Sequence, residues 1–148
     1  SQRYVIPRIQ GGGGSAGIWG CISHKGIGVC NIYTGRINQY NYKETLERCL
    51  KPSITKFYNK SKNWMFQQDG APAHTAISIK EYFNPIENLW AWMDAKLIQI
   101  KITSVEHLKE VLHEIWSSVP RELCMKLVES MPRRIEACIK ARGGHFRY

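Results

Sequence analysis

The spacing of apolar residues changes from segment to segment, and the order of these changes limits the possible folds of this chain. Residues 15–23 (SAGIWGCIS) and 27–35 (IGVCNIYTG) are two apolar runs separated by Lys25-Gly26, a pattern typical of two strands joined by a tight turn. Residues 63–68 (NWMFQQ) predict a third short strand that ends at Asp69. The other periodic segments are helical, so the order strand, strand, helix, strand, then helices favours an α/β sheet covered by helices.

The first predicted helix covers residues 41 to about 60, where Leu46, Cys49, Leu50, Ile54 and Phe57 recur at helical spacing. Asn41 is a suitable N-cap. Pro52 lies within this run and predicts a kink or a division into two shorter helices, because proline removes a backbone donor.

The remaining helices follow the third strand. Residues 75–83 predict a short helix, and 84–97 (NPIENLWAWMDAKL) predict a clearer one with Asn84 as N-cap and Pro85 at its first position. Residues 103–118 open with a capping box from Thr103 to Glu106. Further helices are expected to start at Pro120 and Pro132, and the last should end at Gly143-Gly144.

Length and composition indicate one domain spanning 1–148. The chain has 148 residues, of which 43% are hydrophobic, enough for a packed core, and no stretch approaches the roughly 20 apolar residues of a membrane span. It has neither a secretory signal nor an initiator Met, so we expect it to be a piece of a longer protein. The five cysteines form no CxxC motif, which disfavours zinc and a disulfide framework and suits reduced thiols inside a cell.

The net charge of +9 is unevenly distributed. Residues 1–60 carry nine Lys and Arg against two acids, and 121–148 carry seven against three. The middle segment, 61–120, holds seven of the twelve acids. Basic ends around an acidic centre suit a protein that neutralises phosphates, although a basic protein with solvated charges fits equally well.

Two carboxylates are placed where they could meet. Asp69 ends the predicted third strand and enters the turn Gly70-Ala71-Pro72, and Glu87 lies in the first turn of the helix 84–97. Carboxylates brought together in this way can bind Mg²⁺ through oxygen, and a two-metal site can clamp the attacking and leaving oxygens of a phosphoryl transfer. The alternatives are a turn that favours Asp and a helix dipole that favours Glu near its N-terminus.

These segments resemble the catalytic domain of the mariner-superfamily DDE transposases. The resemblance rests on FQQDGAPAHT (66–75), NPIENLWAWMDAKL (84–97), the start RYVIPRIQGGGGSAGIWGCIS and the end ESMPRRIEACIKARGGHFRY. It implies a ribonuclease H-like fold in which three carboxylates hold two Mg²⁺ or Mn²⁺ ions for DNA cleavage and strand transfer. By motif match, Asp69 is the second catalytic and metal-binding carboxylate and Glu87 the third.

The chain departs from the family pattern in two ways. The family's first catalytic Asp and its helix-turn-helix DNA-binding domain lie upstream of the segment matched here, so we expect both to be absent. Only 17 residues separate Asp69 from Glu87, about half the usual number, and we place the missing piece between Phe83 and Asn84. The first and last core strands are therefore expected to be missing from an incomplete fold, and catalysis by this chain is expected to be weak or absent.

Other residues have supporting roles in this interpretation. His74 and Asn84 lie near the expected site, and Asp94 follows Glu87 on the same helix face but fits a solvated surface acid better. Candidate contacts to the DNA backbone are Arg133, Arg134, Lys140 and Arg142, with plain surface charge as the alternative.

The resemblance implies transposon ends and target DNA as partners, pairing with itself or with intact transposase subunits, and a nuclear location. The competing hypothesis is a non-catalytic module, derived from a transposon, that binds DNA or transposase.

Overall fold

The computed structural model describes residues 14–35, 37–59, 86–133 and 136. Its strands are β1 (Ala16–Trp19), β2 (Ile22–Ser23), β3 (Gly26–Ile27) and β4 (Asn31–Thr34). A long helix consists of α1 (Gln39–Thr45), a π-helical segment (Leu46–Leu50) and α2 (Lys51–Tyr58). Three helices follow: α3 (Ile86–Leu97), α4 (Val105–Ser117) and α5 (Arg121–Glu129). The part of the chain that is described contains no helix long and apolar enough to cross a membrane.

The predicted pair of strands is confirmed as an antiparallel hairpin that a bulge divides in two. β1 pairs with β4 from Ala16 opposite Thr34 to Trp19 opposite Asn31, and β2 pairs with β3 around the turn at His24-Lys25. Two residues separate β1 from β2, whereas three residues, 28–30, separate β3 from β4. The extra residue interrupts the ladder, as in a β-bulge. The predicted strand at 63–68 and the helix at 75–83 lie outside the described residues.

The long helix begins earlier than predicted, and Asn41 is not its N-cap. Asn38 has extended backbone, and its side-chain oxygen accepts the N–H groups of Tyr40 and Asn41. Both asparagines could cap a helix, but the spare N–H groups of the first turn are reached from position 38. The sequence was therefore wrong about which of the two asparagines, Asn38 or Asn41, starts the helix.

Pro52 changes the helix without breaking it. The backbone N–H of Lys51 donates to Leu46 O, five residues back, so the turn before the proline is a π turn. Pro52 has no N–H and crowds the carbonyl four residues before it, and a widened turn relieves that crowding. The helical hydrogen bonding continues through Pro52, so the predicted division into two separate helices does not occur.

The predicted capping box at Thr103 is displaced by one residue. Ser104 has extended backbone, and its Oγ accepts the His107 N–H at 3.0 Å, so Ser104 is the N-cap of α4. Thr103 Oγ1 instead lies 3.1 Å from His107 Nδ1. The next helix follows Pro120 as expected, residues 131–133 are helical, and the predicted end at Gly143-Gly144 lies outside the described residues.

One face of β1 and the helices α3 to α5 form the main apolar cluster, which we call the helical core. Ala16 and Ile18 point from β1 into this cluster, as expected for alternate residues of a strand. Leu89, Met93, Leu108 and Leu112 are at most 1% exposed. Trp90 of α3 stacks on Trp116 of α4 with ring centroids 5.8 Å apart. The apolar face predicted for 84–97 is thereby confirmed; its members are Ile86, Leu89, Trp90, Met93 and Leu97.

The long helix contributes no residue to the helical core and contacts the hairpin through a set of polar bonds, the polar seam. Ser53, fully buried, accepts the Val29 N–H at 2.8 Å and donates to Cys49 O. Thr45, also buried, accepts from the Asn31 side chain at 2.9 Å. From the opposite side, the Trp116 indole N–H donates to Gly28 O at 3.0 Å. Residues 28–31 are therefore fixed between the helical core and the long helix.

Candidate functional site

Glu87 is the only predicted carboxylate of the catalytic set that the described residues include. It lies in the first turn of α3, and its side chain is half-buried. The rest of α3 is packed against the helical core, because Leu89 and Met93 are buried and Trp90 stacks on Trp116. A carboxylate at such a position is held on a rigid support and remains within reach of solvent. A carboxylate oxygen in this position is of the type that binds divalent cations such as Mg²⁺.

Asp69, His74 and Asn84 lie outside the described residues, so the distance from Asp69 to Glu87 is not part of the structure. Within the described ranges, no group of three or more His, Cys, Asp or Glu side chains could hold a metal ion. Asp94, seven residues after Glu87 on α3, is exposed. Partial burial raises the pKa of its carboxyl, and its position agrees with the solvated surface acid expected from the sequence.

Of the predicted DNA-contacting residues, the structure describes Arg133, and its side chain is exposed. Arg134, Lys140 and Arg142 lie outside the described residues. Exposure at the end of the last described helix is compatible with phosphate binding and equally with surface charge. The structure therefore places Arg133 on the surface without choosing between the two interpretations.

The sequence did not single out a second basic surface, located where the hairpin turn contacts the end of α2. Lys25 Nζ donates to Phe57 O, and Lys56 Nζ donates to Ile27 O at 3.0 Å. The sequence indicates only that this region is basic, because residues 1–43 contain no Asp or Glu. The contact itself joins residues about 30 positions apart and has no local pattern.

Three cysteines lie along the polar seam and have unreactive thiols. Burial raises the pKa of the Cys21 and Cys49 thiols, and it raises that of Cys30 from 9.0 to about 11, with Cys49 and Cys21 adding to the effect. A thiol acts as nucleophile or metal ligand in its ionised form. At neutral pH these groups stay protonated and act as small apolar side chains.

A cleft of about 350 Å³ opens beside the polar seam, between β4 and the α1 and π-helical parts of the long helix. Its walls include Tyr33, Asn31 and the paired side chains of Glu44 and Arg48, which are 3.3 Å apart. Neither Glu87 nor Arg133 lines it. The cleft is thus separate from the predicted catalytic residues that the structure describes.

Known proteins that are similar in sequence to this chain are transposases, and the similarity covers the whole chain. No protein-family model matches. The Tcb1 transposase of Caenorhabditis briggsae is 30% identical over all of this chain and 60% of its own length, and the Tc1 transposase of Caenorhabditis elegans is 28% identical with the same coverage. Over its whole length the chain is homologous to Tc1/mariner-family transposases. It spans about 60% of the length of these curated relatives.

Solved structures establish the fold of this transposase homologue. The catalytic domain of Mos1 mariner transposase matches 97% of this chain and 81% of its own with a TM-score of 0.74 at 17% identity. The same domain solved with Raltegravir and Mn gives 0.73, and the Mos1 paired-end complex with Mn gives 0.74. The predicted ribonuclease H-like α/β fold is confirmed.

The alignments also agree with a shortened chain. The match to the Tcb1 transposase extends over 165 positions, whereas the chain has 148 residues, so 17 positions of the alignment have no residue here.

Proposed function

We propose that this chain is a transposase catalytic-domain remnant that binds DNA and a divalent cation, with Asp69 and Glu87 as its catalytic carboxylates. The observation that carries the proposal is homology to Tc1/mariner-family transposases along the full 148 residues. The position of Glu87 on the rigid first turn of α3 supports it. Transposon ends and target DNA are the proposed substrates, and the nucleus, where chromosomal DNA lies, is the proposed location.

The donor chemistry fits the cation that the fold family implies. Mg²⁺ and Mn²⁺ prefer carboxylate oxygen, and Glu87 offers such an oxygen from a half-buried position that solvent can reach. The thiols of the polar seam are protonated and do not compete for the ion. Asp69 and Glu87 would hold the metal, and the bound metal would stabilise charge on the oxygens of a phosphoryl transfer.

The contribution of the protein itself is positioning. The buried face of α3 fixes where the Glu87 carboxylate can lie, and the basic residues neutralise phosphates around it.

The test is nicking of supercoiled plasmid by the purified chain in Mg²⁺ and in Mn²⁺. We expect slow nicking that needs the cation and is lost in Asp69→Asn and in Glu87→Gln, which remove a charge and keep side-chain size. Asp94→Asn is the matched control, because it replaces an acid by its amide on the helix that carries Glu87, at an exposed position that the resemblance does not name as a catalytic carboxylate.

The outcomes separate the two candidate functions. Nicking that persists in Asp69→Asn would show that other residues, or a contaminant, perform the reaction. No nicking by any of the proteins, together with cation-independent binding of duplex DNA, would replace the enzyme with the non-catalytic binding module. Loss in Asp94→Asn as well would show that charge on α3, and not the predicted carboxylates, is what the reaction needs.

A further inference from the structure

Two lysines join the hairpin turn to the end of α2 by reciprocal bonds. Lys25, at the tip of the β2–β3 turn, donates to the carbonyl of Phe57. Lys56, on α2, donates to the carbonyl of Ile27 at 3.0 Å. The Lys25 ammonium also lies 5.6 Å from the centroid of the Tyr58 ring. Each ammonium group is thus held beside the backbone of the element that carries the other.

The bonds of this lysine pair leave both charges in place. A carbonyl oxygen accepts one N–H from an ammonium group without neutralising it, so each lysine retains its positive charge and two further donors. Within the described residues, neither side chain has a carboxylate partner. Lys25 and Lys56 are exposed, so solvent and ligands can reach both side chains.

The surroundings of the lysine pair are also basic. No acid occurs before Glu44, so the whole hairpin lacks negative charge. A Cβ on Gly26 would lie 4.0 Å from the Cγ of Arg121, which places the start of α5 against the same turn. Glu129 contacts the turn, but its carboxylate lies 2.9 Å from His24 Nε2 and is paired with that imidazole.

From these contacts we infer that Lys25 and Lys56 form a contact surface for the phosphate backbone of duplex DNA. This inference rests on the proposed function, in which the chain binds DNA. It adds which surface of the protein contacts the DNA. Two fixed ammonium groups that have no carboxylate partner among the described residues match a repeating polyanion, because each can replace a condensed counterion at a phosphate. Ammonium groups that contact phosphates position DNA on the protein and do not select a sequence.

The experiment measures binding of the full chain to a fluorescently labelled duplex of arbitrary sequence by anisotropy, in NaCl from 50 to 300 mM. The double variant Lys25→Gln/Lys56→Gln removes both charges. Each phosphate contact contributes about 0.9 to the slope of log affinity against log salt, so we expect the slope to fall in magnitude by about 2. Affinity near 0.1 M salt should fall by about tenfold or more.

Two controls separate charge from structure. Lys25→Arg/Lys56→Arg keeps both charges and should retain the salt slope of the parent chain. Lys96→Gln/Lys101→Gln removes two exposed lysines from α3 and the segment after it, and should change the slope by less than the Lys25/Lys56 pair does. Thermal unfolding followed by circular dichroism shows whether each variant is folded under the binding conditions.

Failure of this inference is distinguishable from failure of the proposed function. If the parent chain binds duplex DNA and the Gln pair leaves its slope unchanged, the lysine pair is not the contact surface, although DNA remains the partner. An equal loss in the Arg pair would make the effect structural and would also overturn the inference. No binding by the parent chain would overturn both.

Discussion

The hairpin is held by two neighbours in different ways. On the side of α3 to α5, apolar side chains pack against Ala16 and Ile18, and five residues of these helices are at most 1% exposed. On the side of the long helix, the contact includes hydrogen bonds that Ser53 and Thr45 accept from the hairpin and bonds that Lys25 and Lys56 donate across the same boundary. Apolar packing stabilises in proportion to buried area, whereas a hydrogen bond depends on geometry at single atoms. The helical core should therefore tolerate small shifts, and the polar seam should not.

The largest expected effect is in the helical core. Leu112→Ala removes a fully buried side chain from α4 and should lower the free energy of unfolding by about 2–5 kcal/mol, because it leaves a cavity. Urea unfolding measures this change. Ile98→Ala serves as the control, since Ile98 is 84% exposed and its truncation should change stability by less than about 0.5 kcal/mol. Similar losses in both variants would mean that α4 is not packed as described.

The next effect tests how closely the hairpin approaches the long helix. A Cβ on Gly28 would lie 2.5 Å from Cys21 Sγ and would also collide with Ser53 Oγ. Gly28→Ala should therefore cost about 1–3 kcal/mol in unfolding free energy through overpacking. Gly35→Asn is the comparison: Gly35 has positive φ but no atom within 4 Å of an added Cβ, so Asn should cost less than about 1 kcal/mol. A neutral Gly28→Ala would contradict the close approach.

A smaller effect isolates one hydrogen bond of the polar seam. Ser53→Ala removes the buried acceptor of the Val29 N–H, and we expect a loss of about 1–2 kcal/mol in unfolding free energy, because the bond to the Val29 amide is lost. Thr55→Ala, on the exposed face of α2, makes a comparable change and should have a small effect. Hydrogen exchange of the Val29 amide should accelerate in Ser53→Ala alone. Unchanged exchange there would show that the bond contributes nothing to protection.

The smallest effect concerns alkaline pH and the thiols of the polar seam. The folded pKa of Cys30 is about 11 against 9.0 in a free thiol, so the unfolded chain loses its proton first. Stability contributed by the protonated thiol is therefore complete below pH 9 and declines as pH rises toward 11. In reducing buffer, the melting temperature should fall less steeply from pH 8 to 10 in Cys30→Ser than in the parent chain. Equal slopes would mean that Cys30 ionises at its ordinary pKa.

The same contrast explains which features could be predicted from the sequence. The face of α3 was recognised because burial of Leu89, Trp90 and Met93 follows a helical period, and the hairpin was recognised because its strands flank a glycine turn. Ser53 shows no such pattern, since a serine within a helix carries no local sign of its partner 24 residues away. The choices of Asn38 over Asn41 and Ser104 over Thr103 depend on backbone conformation, which similar neighbouring residues do not reveal.

The predicted site likewise contains residues whose positions the sequence could predict and residues whose positions it could not. Glu87 could be placed because it belongs to a strongly periodic helix. The motif match that names Asp69 says which residue type stands there but gives no distance to Glu87. Lys25 and Lys56 were missed because their contacts connect separate elements, and charge composition alone indicated only that the region is basic.

Trp116 connects both sides of the hairpin, which makes it a natural optical probe. Its ring stacks on Trp90 within the helical core, and its indole N–H is bonded to Gly28 beside the polar seam. Stacked indoles give a coupled near-ultraviolet circular dichroism signal, whereas the emission colour of an indole responds to the polarity around its nitrogen. Release of the long helix should therefore shift the emission while the circular dichroism band persists. Collapse of the core should remove the band, so the stacked pair of Trp90 and Trp116 distinguishes two stages of unfolding.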